Sequence, residues 1–152
     1  MSGEIHTAWR EDIRSEVHAS GLPVNILGPV TIHEDSDDCG AVILGAEQDK
    51  FWHDRKGAAI NAIRNRVLLN ETDILIVKFG EQYRQWNAAF DVGIATAKEK
   101  AIITLHEKSL DHALKEVDQA ALATCRSIPE VIAILCYITE GKLSEPKEKA
   151  AE

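Results

Sequence analysis

Thr72-Asp73-Ile74-Leu75-Ile76-Val77-Lys78-Phe79 decides the architecture of this chain. Ile74 to Val77 are apolar in succession, without alternation, which describes a strand covered on both faces, as in a parallel sheet. Gly80 to Arg84 reads as a loop, and Trp86 to Lys100 then reads as a helix. Ala101-Ile102-Ile103-Thr104-Leu105 repeats the buried-strand pattern, and Ser109 to Leu122 reads as a helix again. Ala123-Thr124-Cys125 predicts a short strand before a last helix from Pro129 to Thr139, with Pro129 placed for a first turn. Strands alternating with helices predict an α/β fold with a doubly wound, mostly parallel sheet flanked by helices. Ligands are then expected beyond the carboxyl ends of the strands.

Upstream the pattern is less regular. Trp9, Ile13 and Val17 give helical spacing from Ala8 to Ser20, and Gly21 supplies a stop. Val24-Asn25-Ile26-Leu27 is a strand candidate closed by Gly28-Pro29, and Val30 to Cys39 reads as a polar, acidic loop. Residues 40–70 are expected to be mostly helical, with Ala58, Ala59, Ala62, Ile63, Val67 and Leu68 as a packed face and Arg64 and Arg66 at its sides. One domain is expected over residues 1–141, and the charged stretch 142–152 reads as a disordered tail.

Composition narrows the function classes. The 152 residues suffice to bury a real core, and 45% hydrophobic with 28% charged content is ordinary for a soluble globular protein. A formal net charge of −8 argues against nucleic-acid or anionic-membrane binding through bulk charge. No apolar run is long enough to span a bilayer, and Met1 to His6 has neither the basic nor the apolar segment of a secretion signal. Cys39, Cys125 and Cys136 are an odd number without CxxC spacing, so free thiols in a reducing cytoplasm are the simplest reading.

Several residues are candidates for chemistry. Asp91 stands among Ala89, Phe90, Val92 and Ile94 about one turn inside a helix, on the ligand edge of the sheet. A first-turn acid is common simply because it favours the positive end of the helix dipole, which also keeps a carboxylate ionised. Tyr83 and Trp86 precede that helix and could stack on a base, with Trp86 expected to be at least partly buried. His106, just after a strand, is an acid/base candidate. The run His33-Glu34-Asp35-Ser36-Asp37-Asp38 lacks the glycine and terminal glutamate of an EF-hand loop, so a solvated acidic loop is the simpler reading. Lys56, Asn61 and Arg64 could reach a phosphate, although exposed charged helix faces are common. No GxGxxG, P-loop or serine-nucleophile signature occurs, and no cofactor or metal is called for.

Thr72 to Val77, the Asn87-Ala88-Ala89-Phe90-Asp91-Val92-Gly93-Ile94-Ala95 helix and Lys100 to Ile103 together resemble the nucleoside 2-deoxyribosyltransferase superfamily. Over most of its length the chain resembles the YtoQ family more closely, in SGEIHTAWRE, the HEDSDD loop with ILGAE, KGAAINAIRNR, FGEQYRQWNAAFD and ITLHEKSLDHALKEVD. The resemblance implies a flavodoxin-like fold and an acid before the strand at Asp73. It also implies a catalytic carboxylate at Asp91, followed by Gly93 and preceded by the small residues Asn87 and Ala88. Ser2-Gly3-Glu4 would be the first loop, cupping a sugar.

Three departures from the superfamily pattern follow. Aspartate replaces glutamate, which withdraws the attacking oxygen by about 1.5 Å, one C–C bond. Asn87-Ala88 replaces Gly-Thr, and Ile94 stands where tyrosine is common. The implied chemistry is transfer of a sugar from a base, which needs an ionised carboxylate at the anomeric carbon and a proton for the leaving base. The implied partner is a small-molecule substrate, a nucleoside or nucleotide, taken by a homo-oligomer that uses the 50–70 helical region. The alternative is a protein that binds or senses such a molecule without chemistry. One structural expectation concerns the start: only Met1 precedes the Ser2-Gly3-Glu4 turn, so the first strand is expected to be missing and the natural start to lie upstream.

Overall fold

The computed structural model describes residues 1–143. Its order is β1 (Ser2–Gly3), α1 (Trp9–Ala19), α2 (His33–Asp37), α3 (Cys39–Leu44), α4 (Lys50–Glu71), β2 (Ile74–Lys78), α5 (Trp86–Ala97), β3 (Ala101–Leu105), a 3-10 turn (Lys108–Leu110), α6 (Asp111–Gln119), β4 (Ala123–Cys125) and α7 (Ile128–Glu140). The four strands form one parallel sheet in the order β1-β2-β3-β4, with Leu75 beside Ile102 and Ile103 beside Ala123.

Both faces of the sheet are covered, as the unbroken apolar run in β2 predicts. Side chains alternate along a strand, so Ile76, Ile103 and Leu105 pack with Trp9, Ile13 and Val17 of α1 and Val131 and Leu135 of α7. Leu75, Val77 and Ile102 face the other way, toward Leu69 of α4 and Ala88, Val92 and Ala95 of α5. This is an α/β doubly wound arrangement. Among the described residues no helix is long and apolar enough to cross a membrane.

The N-terminal half departs from the sequence reading. The first strand is present, as two residues, with Ser2 opposite Val77 and Gly3 opposite Lys78 at the edge of the sheet. Val24 to Leu27 is not a strand; it is a partly packed loop whose Leu27 carbonyl accepts the Met1 amine at 2.6 Å. The expected loop at 30–39 contains α2 and leads into α3. Those two short helices are held to α4 where glycines meet: a Cβ on Gly40 would lie 2.2 Å from the Gly57 nitrogen. Asn61 ties α4 to the Ser36 carbonyl at 2.8 Å.

The face expected to be packed on α4 is open instead. Ala58, Ala59, Ala62, Ile63 and Val67 are exposed, and only Gly57 and Leu69 of that helix are buried. Of the tail expected at 142–152, residues 144–152 lie outside the described residues.

Candidate functional site

The site starts from the sharp turn after β1. Gly3 has φ +109°, and a Cβ there would lie 1.9 Å from the Lys78 carbonyl oxygen, so the turn needs glycine twice over. Glu4 donates its N–H to that same carbonyl at 3.0 Å, continuing the ladder. Its own carbonyl accepts Trp9 Nε1 at 2.7 Å and the Arg10 guanidinium, which also donates to the Gly3 carbonyl at 3.0 Å. The Glu4 carboxylate turns back to accept the N–H groups of His6 and Thr7 and the Thr7 hydroxyl. Burial pushes that carboxyl up, but these hydrogen bonds and Lys78 outweigh it and hold it below its ordinary value. The N-terminus is therefore a built turn with Ser2 and Glu4 buried, not a frayed end.

That turn delivers Ser2 to α5. The Ser2 hydroxyl donates to Asp91 Oδ2 at 2.6 Å, across 89 positions of sequence. Asp91 is the sixth residue of α5, beyond the first turn, so the expected help from the helix dipole is weak. Burial prevails and raises its carboxyl above the ordinary value, with the Ser2 hydroxyl pulling the other way.

Asp91 lies on the wall of a cavity of about 630 Å³, within the usual range for a small-molecule site. Of the residues singled out from sequence, Ser2, Gly3, Glu4, Tyr83, Trp86 and Asn87 share that wall with it. The opposite wall comes from α2 and α4, including Ser36, Asn61, Asn65 and Arg66. Trp86 is 70% exposed, against the expectation of burial, with the Arg84 guanidinium 5.7 Å from its ring. His6, which follows the turn implied to cup a sugar, lines the cavity too, and so do Arg66, Arg84 and Phe90, which were not assigned to it from sequence. Lys56 and Arg64 are spent on structure, with Lys56 on Glu47 and the Gly45 carbonyl and Arg64 on the Gly28 carbonyl.

Two candidates fall elsewhere. Asp73 precedes β2, at the opposite end of the strand from this cavity, beside a separate hollow lined by Val24 to Leu27. His106 is buried beyond β3 and does not line the cavity. Its Nε2 meets both Asp118 oxygens at 3.0 Å, and its Nδ1 faces the Glu107 carbonyl at 2.9 Å and Arg126 at 3.1 Å. Thr104 also donates to Asp118. His106, Asp111 and Asp118 place ligand atoms within 4.8 Å of one another, a spacing that could hold a metal ion. Arg126, 2.6 Å from Asp111, already supplies a cation there.

The sequence matches, over residues 1–139, the family described as Nucleoside 2-deoxyribosyltransferase YtoQ. A protein of Bacillus subtilis (strain 168) named Uncharacterized protein YtoQ is 39% identical over 140 residues, which is 92% of this chain and 95% of that one.

Proposed function

The chain belongs to the nucleoside 2-deoxyribosyltransferase YtoQ family, and on that footing we propose that its cavity takes a nucleoside or nucleotide and breaks the N-glycosidic bond. Asp91 is the nucleophile. The observation that carries this reading is the Asp91 carboxylate on the wall of the large cavity, bonded by Ser2 through one oxygen and by no described residue through the other. The free oxygen attacks the anomeric carbon as the bond to the base breaks, forming a glycosyl ester. Water or a second base then attacks the same carbon and releases the carboxylate. Tyr83, Trp86 and Phe90 supply aromatic surface for the base.

A 2-fluorinated nucleoside, slow in the second step, should leave a glycosyl adduct on Asp91 detectable by mass spectrometry. Asp91→Ala should abolish both adduct and turnover while the fold persists; turnover that survives this change rules the mechanism out. A second reading, binding or sensing without chemistry, is favoured by one observation: burial works against ionisation of Asp91. It predicts nucleoside-dependent thermal shifts with no released base.

Exposed apolar side chains on three helices support a homo-oligomer. Val42 of α3 (81% exposed), Ile63 of α4 (66%) and Phe90 of α5 (65%) are large apolar side chains left open to solvent, and exposed apolar surface of this kind marks association sites. Sedimentation at micromolar protein should show species larger than the 16.8 kDa chain.

A further inference from the structure

A carboxylate nucleophile accounts for half of the chemistry; the base must also leave with a proton. We propose that His6 is the general acid that delivers it, an inference that rests on Asp91 being the nucleophile. A donor must line the cavity, carry a proton near neutral pH and be free to release it. The other carboxyl groups on the wall are engaged by other partners. Glu4 is occupied by three donors and held below its ordinary value. Asp54 is bridged by Lys50 at 2.9 Å, a hydrogen bond that keeps it ionised, and Asp37 faces His33 at 3.2 Å. Arginine does not give up its proton in proteins. His6 and Tyr83 remain, with ring centroids 4.4 Å apart. Imidazole is the side chain suited to both giving and taking a proton near neutral pH.

Placement supports the role. The His6 backbone is fixed, because its N–H is bound by the Glu4 carboxylate and the Glu4 carbonyl is bound by Trp9 and Arg10. Its ring is exposed, and among the described residues neither ring nitrogen has a hydrogen-bond partner. Ser2, which touches Asp91, is four residues away on the same turn, so the Cα atoms of Ser2 and His6 are at most roughly 14 Å apart. One turn thus orients the nucleophile at its start and carries the acid further on.

In the first step Asp91 forms a C–O bond to the anomeric carbon and the C–N bond breaks. The electron pair goes to the base nitrogen system, and protonated His6 transfers its N–H proton to a base nitrogen. In the second step neutral His6 takes the proton of the incoming water or base, which restores both groups.

A methyl group at N7 of a purine gives the base a permanent positive charge, so it leaves without a proton. We expect His6→Asn to slow base release from 2′-deoxyguanosine by roughly 10²–10⁴-fold, and from 7-methyl-2′-deoxyguanosine by less than about fivefold. Asp91→Ala should stop both, and Tyr83→Phe should leave the ratio of the two rates as in the wild type. Equal loss on the two substrates in His6→Asn overturns the acid role alone, as does a selective loss in Tyr83→Phe. Wild-type protein that releases base from neither overturns the proposal, and failure to form the Asp91 adduct with any nucleoside then takes the underlying reading with it.

Discussion

His106 and Asp91 both stand beyond the carboxyl ends of neighbouring strands, one after β3 and one on the helix that follows β2, yet they are set in opposite ways. His106 has a partner at each ring nitrogen, and those partners are themselves engaged, Asp118 by the Thr104 hydroxyl and Arg126 by Asp111. Asp91 lines the cavity and has one hydrogen bond among the described residues, which leaves its second oxygen without a partner there. A polar group satisfied on all sides contributes to stability, because removing it strands its partners. One left partly unsatisfied costs stability, and such sites are where function is expected. Burial at the mouth of a strand therefore does not by itself mark a catalytic group; the state of its partners does.

The largest expected loss is at the turn that presents Ser2. Gly3→Ala places a methyl group 1.9 Å from the Lys78 carbonyl and strains a backbone at φ +109°. The expected loss is about 3 kcal/mol or more, read by urea unfolding, with nucleoside-induced thermal shifts lost as well. A variant as stable as the wild type would show that β1 is not what orients the site.

His106→Ala tests the other member of the pair. It leaves Asp118 and Arg126 each short of a partner, and the expected cost is about 2–4 kcal/mol. Base release per folded molecule should stay near the wild-type rate. Activity lost without any loss of stability would return His106 to the chemistry.

The C-terminal half of the fold was legible because its elements are long and periodic. Leu75 to Val77 and Ile102 to Leu105 are buried on both faces, and the composition of their strands says so. The N-terminal half was not, since two residues suffice for β1 and no periodicity can be seen in two residues. Val24 to Leu27 has strand composition, but a strand is defined by pairing, and among the described residues its hydrogen bond toward the sheet edge is the one from the Met1 amine. Helices α2 and α3 have five and six residues, too short for an amphipathic pattern. The apolar stripe on α4 was read as packed because periodicity shows that a face is apolar, not what covers it. In the site, Asp91 was found by its apolar neighbours, its edge position and the family pattern. The Ser2 and His6 placements depend on contacts between distant parts of the chain.

Asp91→Asn should separate stability from chemistry in the opposite sense to His106→Ala. Because burial raises the Asp91 carboxyl in the folded state, folding favours its protonated form. The associated stability is complete below the ordinary value of 3.8 and is lost as pH rises through the raised folded-state value. Asparagine keeps an acceptor for the Ser2 hydroxyl and escapes that loss. At pH 7 the variant should be as stable as the wild type or more so, by about 0.5–1 kcal/mol, while releasing no base. Repeating the denaturation at pH 3 should bring the two proteins together. A variant clearly less stable at pH 7 would mean that the carboxylate is held for structure, like the His106 network.

The smallest effect lies two residues further along α5. Gly93 is exposed, and a Cβ built on it would meet nothing within 4 Å. It does not line the cavity, and glycine inside a helix costs about 0.5–1 kcal/mol relative to alanine. Within one copy of the chain Gly93→Ala should therefore be stabilising, with a gain of about 2–4 °C in Tm for each kcal/mol in a chain of this size. Base release should not change, since neither Asp91 nor the turn that holds Ser2 is touched. Sedimentation gives the second readout, because the apolar surface around Phe90 lies on the same helix. If the variant gains stability and its assembly is unchanged, Gly93 belongs to neither of the two compared settings. If it loses stability together with its oligomers, a second copy packs its backbone against this glycine. The open side of the Asp91 region would then be closed by another chain, and its contrast with the self-contained His106 network would be one between a shared site and a private one.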